Sequence, residues 1–264
     1  MRKIQNLQAN SQLLGSGLQA PAKPKHTRVL YSFVAGAAIT GGYLGLVRPW
    51  ILHWGATSAE IKEQLPGDDL VNSAHYIATH AITIKAPVAQ VWPWLVQIGQ
   101  GRGGFYSYDW LENLVGCDIH NAEQILPAFQ ELEVGSMIRL APPPASAKTP
   151  DVALQVVENK PERAIVLLTP GSFELNTGAG LPFGSWAFIL KQTDANCSRL
   201  LVRFRATYKP SLLSFLIYHV LLEPIHFIME RKMLLGIKTR VERAGVNPVS
   251  TSHLAFEHKL KSAG

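Results

Sequence analysis

The chain has 264 residues, 47% of them hydrophobic, with a formal net charge of +6 and a pI near 9.3. Five cations (Arg2, Lys3, Lys23, Lys25, Arg28) and no acid fall in the first 28 residues, which leaves 20 cations against 19 anions in the rest. A nucleic-acid binder needs clustered cations on a folded face, so this balance excludes one, and two cysteines 80 residues apart without a CxxC (Cys117, Cys197) exclude a disulfide framework or a cysteine zinc site.

Residues 1–28 are polar and rich in Gly, Gln, Ala, Pro and Lys, which predicts a flexible basic arm. Residues 29–47, VLYSFVAGAAITGGYLGLV, carry no charge. Nineteen helical residues reach about 28 Å, close to the roughly 30 Å hydrocarbon core of a bilayer. Arg28 and Arg48 bracket the run, and Tyr31, Tyr43 and Trp50 suit its interfaces. A signal peptide competes, but the leader is long and no small-x-small cleavage site follows. A core helix competes too, yet Ser32 and Thr40 are the segment's main polar groups. Ala37, Gly41 and Gly45 repeat at spacing four, as on helix-pairing faces. The expectation is a single-pass transmembrane helix. The excess of cations in the leader places the arm in the cytoplasm and the globular part on the opposite side.

From residue 55 the pattern becomes globular. TSAEIKEQLPGDD predicts a short helix capped by Thr57 or Ser58 and ended at Pro66-Gly67. Alternation over 78–85 predicts a strand. PVAQVWPWLVQIG predicts a helix from Pro87 with Val88, Val91, Trp92, Leu95 and Ile98 near helical spacing, and with Pro93 marking a kink or late start. A glycine-rich turn at 99–104 and a short helix at 108–115 follow. Strands are expected at 137–141, 153–159, 164–169, 185–192 and 199–208, the last two joined as a hairpin through TDAN. Loops at 142–150 and 172–184 are expected on the surface, the second a mobile flap around Gly178 and Gly180. Residues 211–243 are helical, in two pieces broken at Pro224. A second span through this segment must include His219, Glu223, Pro224 and His226, and a central carboxylate costs about 2.5–3.5 kcal/mol. Packing on the sheet is therefore preferred. Residues 245–264 form a flexible tail.

Three strings carry a family resemblance: AITIKAPVAQVWPWLVQIGQGRGGFYSYDWLENL, SWAFILKQTDANCSRLLVRFRATY and EPIHFIMERKMLLGIKTRVE. Together with the element order they resemble the START-like (SRPBCC) superfamily of polyketide cyclase/dehydrase and lipid-transport proteins, and a bacterial subgroup of it, over about 54–244. The resemblance implies an α+β helix-grip fold, an antiparallel sheet wrapped around a long C-terminal helix with an apolar cavity between them. It implies a hydrophobic small molecule or lipid as partner. No shared catalytic motif exists to carry over, and no metal or cofactor is expected. The N-terminal membrane segment departs from the soluble members.

Six of the 23 aromatics lie within 92–114. Such density on short elements predicts that some line a pocket. Trp94, Phe105, Tyr106 and Trp110 are the candidates there, with Trp186 and Phe188 from the hairpin. Arg102, between glycines, is read either as the clamp for an acidic head group or as a partner of Asp109 or Glu112. Met229 and Met233, in line with Ile225 and Ile237, are read as the helix face toward the sheet, filling either core or cavity. His226 joins the list; with His219 it sits two turns apart, spoiled by Pro224. Glu230, Arg231 and Lys232 are read as a solvated face, His75 and His80 as forming no constellation, and Arg203 and Arg205 as facing solvent or the cavity. Asp118, His120 and Glu123 could supply an acid–base pair, or simply a satisfied turn.

Three functions compete on these grounds. The first is a membrane-tethered binder of a lipid or other hydrophobic molecule. The second is a cyclase or dehydratase using Arg102, His120 and Asp118. The third is a membrane-bound interaction protein with a vestigial cavity.

Overall fold

The computed structural model describes residues 34–36, 38, 41–143, 152–171 and 183–246. The basic arm, part of the expected span, most of the loops at 142–150 and 172–184 and most of the tail lie outside the described residues. Contacts divide the chain into two units, Met1–Arg48 and Pro49–Gly264. The described residues of the first are helical, with a π-helical turn at Tyr43–Val47.

The second unit has the helix-grip fold. Short helices α1 (Arg48–Leu52) and α2 (Ser58–Lys62) precede strand β1 (Tyr76–Ile84). Helices α3 (Val88–Val96) and α4 (Asp109–Leu114) follow. The remaining strands are β2 (Met137–Arg139), β3 (Ala153–Lys160), β4 (Ala164–Leu168), β5 (Phe183–Asp194) and β6 (Cys197–Thr207). They form one antiparallel sheet in the order β1-β6-β5-β4-β3-β2. The chain ends in α5 (Leu212–Phe215), a π-helical stretch Leu216–Leu222 and the long α6 (Glu223–Val246).

Thr57 caps α2, its hydroxyl accepting from the Glu60 N–H while Glu60 reciprocates. The expected break at Pro224 does not occur. Proline removes one helical donor and crowds the carbonyl four residues back. Here Pro224 is the second residue of α6, directly after a π-helical stretch whose wider turn accommodates that carbonyl. Pro93 is likewise housed inside α3 without ending it.

Strand alternation sends two sets of side chains to opposite faces. Ile84, Leu200, Val202, Phe188, Leu190, Ile165, Leu167, Leu154 and Val156 pack inward against Val91, Trp94 and Leu95 of α3 and Met233, Leu234, Ile237 and Val241 of α6. Ala81, Leu201, Ala187, Ile189 and Val166 point outward and are covered by Leu65. That outer cover is pinned by arginines. Arg203 is 3% exposed; it donates to Asp68, Thr79 and the carbonyls of Glu60, Ile61 and Glu63. Arg205 donates to the Val71 carbonyl, and Arg199 pairs with Glu60. These arginines thus face neither solvent nor cavity: free backbone carbonyls in the 57–71 segment need donors, and the guanidinium forks supply them.

Candidate functional site

Between the inner sheet face and α6 lies a cavity of about 290 Å³, at the low end of small-molecule pockets. Its apolar wall includes Phe105, Ile119, Leu154, Trp186, Met229 and Met233; Glu112, Ser107, His226 and Glu230 add polar groups.

The most telling polar group is Glu230, 3% exposed on the helix face read from sequence as solvated. Its carboxylate accepts from His80 Nδ1 at 2.5 Å and from Trp186 Nε1 at 2.9 Å, and lies 3.3 Å from His226 Nε2. His80, itself fully buried, directs Nε2 at the Ile51 carbonyl, 2.7 Å away. Both ring nitrogens of His80 therefore face acceptors, which requires the imidazolium. His226 takes the other role: Nδ1 accepts from the Tyr76 hydroxyl at 3.2 Å, leaving the ring proton on Nε2 toward Glu230. The result is a buried cation–anion pair with a neutral histidine beside it.

The titration directions agree with this geometry. Burial works against the charge on His80, but the Glu230 carboxylate and the hydrogen bonds from Glu230 and Ile51 outweigh it, and its pKa is raised. Burial also opposes the charge on Glu230, yet the adjacent His226 and His80 rings, with the hydrogen bonds of His80 and Trp186, hold its pKa below the ordinary carboxylate value; burial holds the His226 pKa down in turn, in keeping with its neutral form. Glu112, elsewhere on the wall, behaves in the opposite way. Burial pushes its pKa up, opposed by the Ser107 hydroxyl and aided by the charge of Asp109. Ser107 Oγ donates to Glu112 Oε1, and Oε2 is buried without a hydrogen-bond partner.

Five of the ten side chains proposed from sequence line the cavity: Phe105, Trp186, His226, Met229 and Met233. The other five do not. Trp94 and Tyr106 pack edge-to-face at 5.8 Å, the Tyr106 hydroxyl donating to the Trp94 carbonyl. Phe188 is core beside Trp186. Trp110 is 65% exposed. Arg102 donates to the carbonyls of Val96 and Phe129 and covers the Phe129 ring, so it serves neither as a head-group clamp in this cavity nor as a partner of Asp109 or Glu112. An arginine in a glycine turn finds unpaired carbonyls close at hand, and these take its fork.

Asp118 and His120 form an exposed pair away from the cavity, and Glu123 pairs with Arg240. The acid–base site drawn from them is not assembled. His219 is held by Tyr208 and Glu223. Ile225 is exposed, not aligned toward the sheet. Among the described residues no group of three or more His, Cys, Asp or Glu could hold a metal. Sequence reasoning missed His80, Glu230 and Glu112. A histidine flanked by apolar residues in a strand, IATHAITI, was the available signal for His80.

Fold and cavity together define a helix-grip protein with a largely apolar cavity between sheet and helix. A scan against protein-family models gives no match, nor does a search of curated proteins. Among solved structures, the chain is similar to a conserved protein from Geobacillus kaustophilus (16% identity, TM-score 0.38, 64% of this chain and 97% of that one). It is also similar to a polyketide-cyclase-like protein from Corynebacterium glutamicum (16%, 0.32, 66% and 95%). A third is the Aha1 dimer from Colwellia psychrerythraea (16%, 0.32, 63% and 96%).

Proposed function

We propose that the protein binds a lipid or another hydrophobic small molecule in this cavity and holds the site close to a membrane through residues 29–47. The observation that carries the reading is the cavity wall itself. It is apolar over most of its area, and among its few polar residues is Glu112, whose Oε2 is buried with no hydrogen-bond partner. A buried polar atom left unmatched costs about 1–3 kcal/mol. A guest bearing a hydroxyl on an apolar body would remove that cost by donating to this oxygen.

The test is to purify the full chain in mild detergent, extract it, and identify what co-purifies by mass spectrometry. One apolar compound at near-stoichiometric amount is expected. Met229→Trp should fill the space and lower the bound amount at least tenfold, with little change in thermal stability. Equal retention by both proteins, or no retained compound in either, would refute the reading.

A second reading, a cyclase- or dehydratase-type enzyme, draws on Glu112 and Glu230. Their environments push the two carboxyls in opposite directions, the pattern of an acid beside a base. It is the weaker one. Glu230 is held by three donor groups, and a carboxylate so satisfied is a poor base.

A further inference from the structure

The segment leading into α6 is clothed in apolar side chains that nothing among the described residues covers. Leu213, Phe215, Leu216, Ile217, Val220, Leu221, Leu222 and Ile225 are all exposed, Leu213 by 68% and Val220 by 59%. They spread over the wide arc left free by His219, Glu223 and Phe227, which are buried against the domain. A groove on a partner protein covers one narrow stripe; a broad apolar arc without charge suits an apolar solvent. Residues 210–222 contain no Lys, Arg, Asp or Glu. Their one titratable ring besides Tyr218 is His219, which spends its nitrogens on Tyr208 and Glu223. The ring of His219 is thus satisfied inside the protein, as a lipid environment demands.

We infer that residues 213–225 are buried in a lipid bilayer, as a wedge in one leaflet distinct from the segment at 29–47. Thirteen helical residues reach about 20 Å, short of the roughly 30 Å needed to span. The same helix then enters the domain core at Met233, so it cannot continue across. Trp50 sits where the wedge meets the domain, half exposed and 5.0 Å from the Phe227 ring, a position that suits an interfacial aromatic. His226 and Met229, one turn further on, line the cavity. The wedge therefore brings the cavity wall to the lipid surface, from which an apolar guest can pass without crossing water. The inference stands whether or not the cavity holds a guest.

The test places the photoreactive residue p-benzoylphenylalanine at 216 or 220 of the full chain. A control carries it at exposed Val134. Each protein is reconstituted into vesicles of phosphatidylethanolamine and phosphatidylglycerol and irradiated. Intact-mass spectrometry should find one phospholipid added at 216 and 220, at five or more times the yield at 134. A doubled mass, marking a second copy as the occupant, would overturn the inference. So would a crosslinked peptide within the chain, a yield equal to the control, or failure of the protein to join the vesicles.

Discussion

Glu230→Gln is expected to cost about 3–5 kcal/mol of folding stability, the range for removing one partner of a buried ion pair. The amide cannot balance the His80 imidazolium, which has no access to water. If His80 instead gives up a proton, its Nδ1 must accept from the new amide N–H while the amide oxygen takes the Trp186 N–H, and the charge attraction is lost. Urea denaturation of the detergent-solubilised full chain measures the loss; a cost under about 1 kcal/mol would remove the pair from the account of stability. His80→Gln with Glu230→Gln should cost less than the sum of the single changes, because the two side chains share one interaction.

The same pair sets a pH window. The pKa of His80 is raised, so its contribution is fully present below its ordinary value of 6.5 and is lost as pH rises through the folded value. The pKa of Glu230 is lowered, so its contribution is present above 4.5 and is lost as pH falls through the folded value. Between about 4.5 and 6.5 both are intact. His226, whose pKa burial holds below its ordinary 6.5, contributes stability that is lost as pH falls below 6.5, so thermal midpoints should pass through a maximum near the upper edge of this window, and the Glu230→Gln profile should be flatter above it.

Gly236→Ala is expected to destabilise by about 3 kcal/mol, the upper end of ordinary overpacking costs. In an open helix the same change stabilises by about 1 kcal/mol, so the sign is diagnostic. A methyl at Gly236 would lie 2.2 Å from the Tyr106 carbonyl oxygen and 2.9 Å from Tyr106 Cβ. Tyr106 has little freedom to yield. Its φ is 57°, its N–H is held by Asn121, its hydroxyl by the Trp94 carbonyl, and Arg240 covers its ring. The helix would have to lift from the 99–107 segment, opening the core at Met233 and Ile237. Gly245→Ala is the control, because its nearest neighbour would be Gln90 at an ordinary 3.6 Å. Chemical denaturation of both variants decides the matter: a more stable Gly236→Ala protein would mean that α6 does not seat on Tyr106.

Much of the architecture was legible before any coordinates. The hairpin β5–β6 joins two strands of eleven or more residues, rich in apolar and aromatic side chains, around a turn-forming tetrapeptide, and strand propensity and turn chemistry are local properties. The same holds for the capping box of α2 and the helical spacing in α3. The cavity was legible in part: Phe105, Trp186 and Met233 were placed by aromatic density and helical spacing. Trp94 and Tyr106 share that density and yet are core, because density says nothing about which rings find each other. Arg102 was read as a ligand clamp or as a partner of Asp109 or Glu112, and its partners turned out to be backbone carbonyls, which every sequence has.

What the sequence determined by itself, then, is the order and type of elements, the sheet-on-helix class and the placement of charge in a leading arm, because these follow from short-range periodicity and composition. Tertiary structure alone decided that the helix charge Glu230 is buried, that His80 is its cation, and that the apolar side chains of 213–225 stand uncovered among the described residues. The burial of a charge depends on its partner, and here the partners lie 150 residues apart; no local pattern can register an interaction whose two halves meet only after folding.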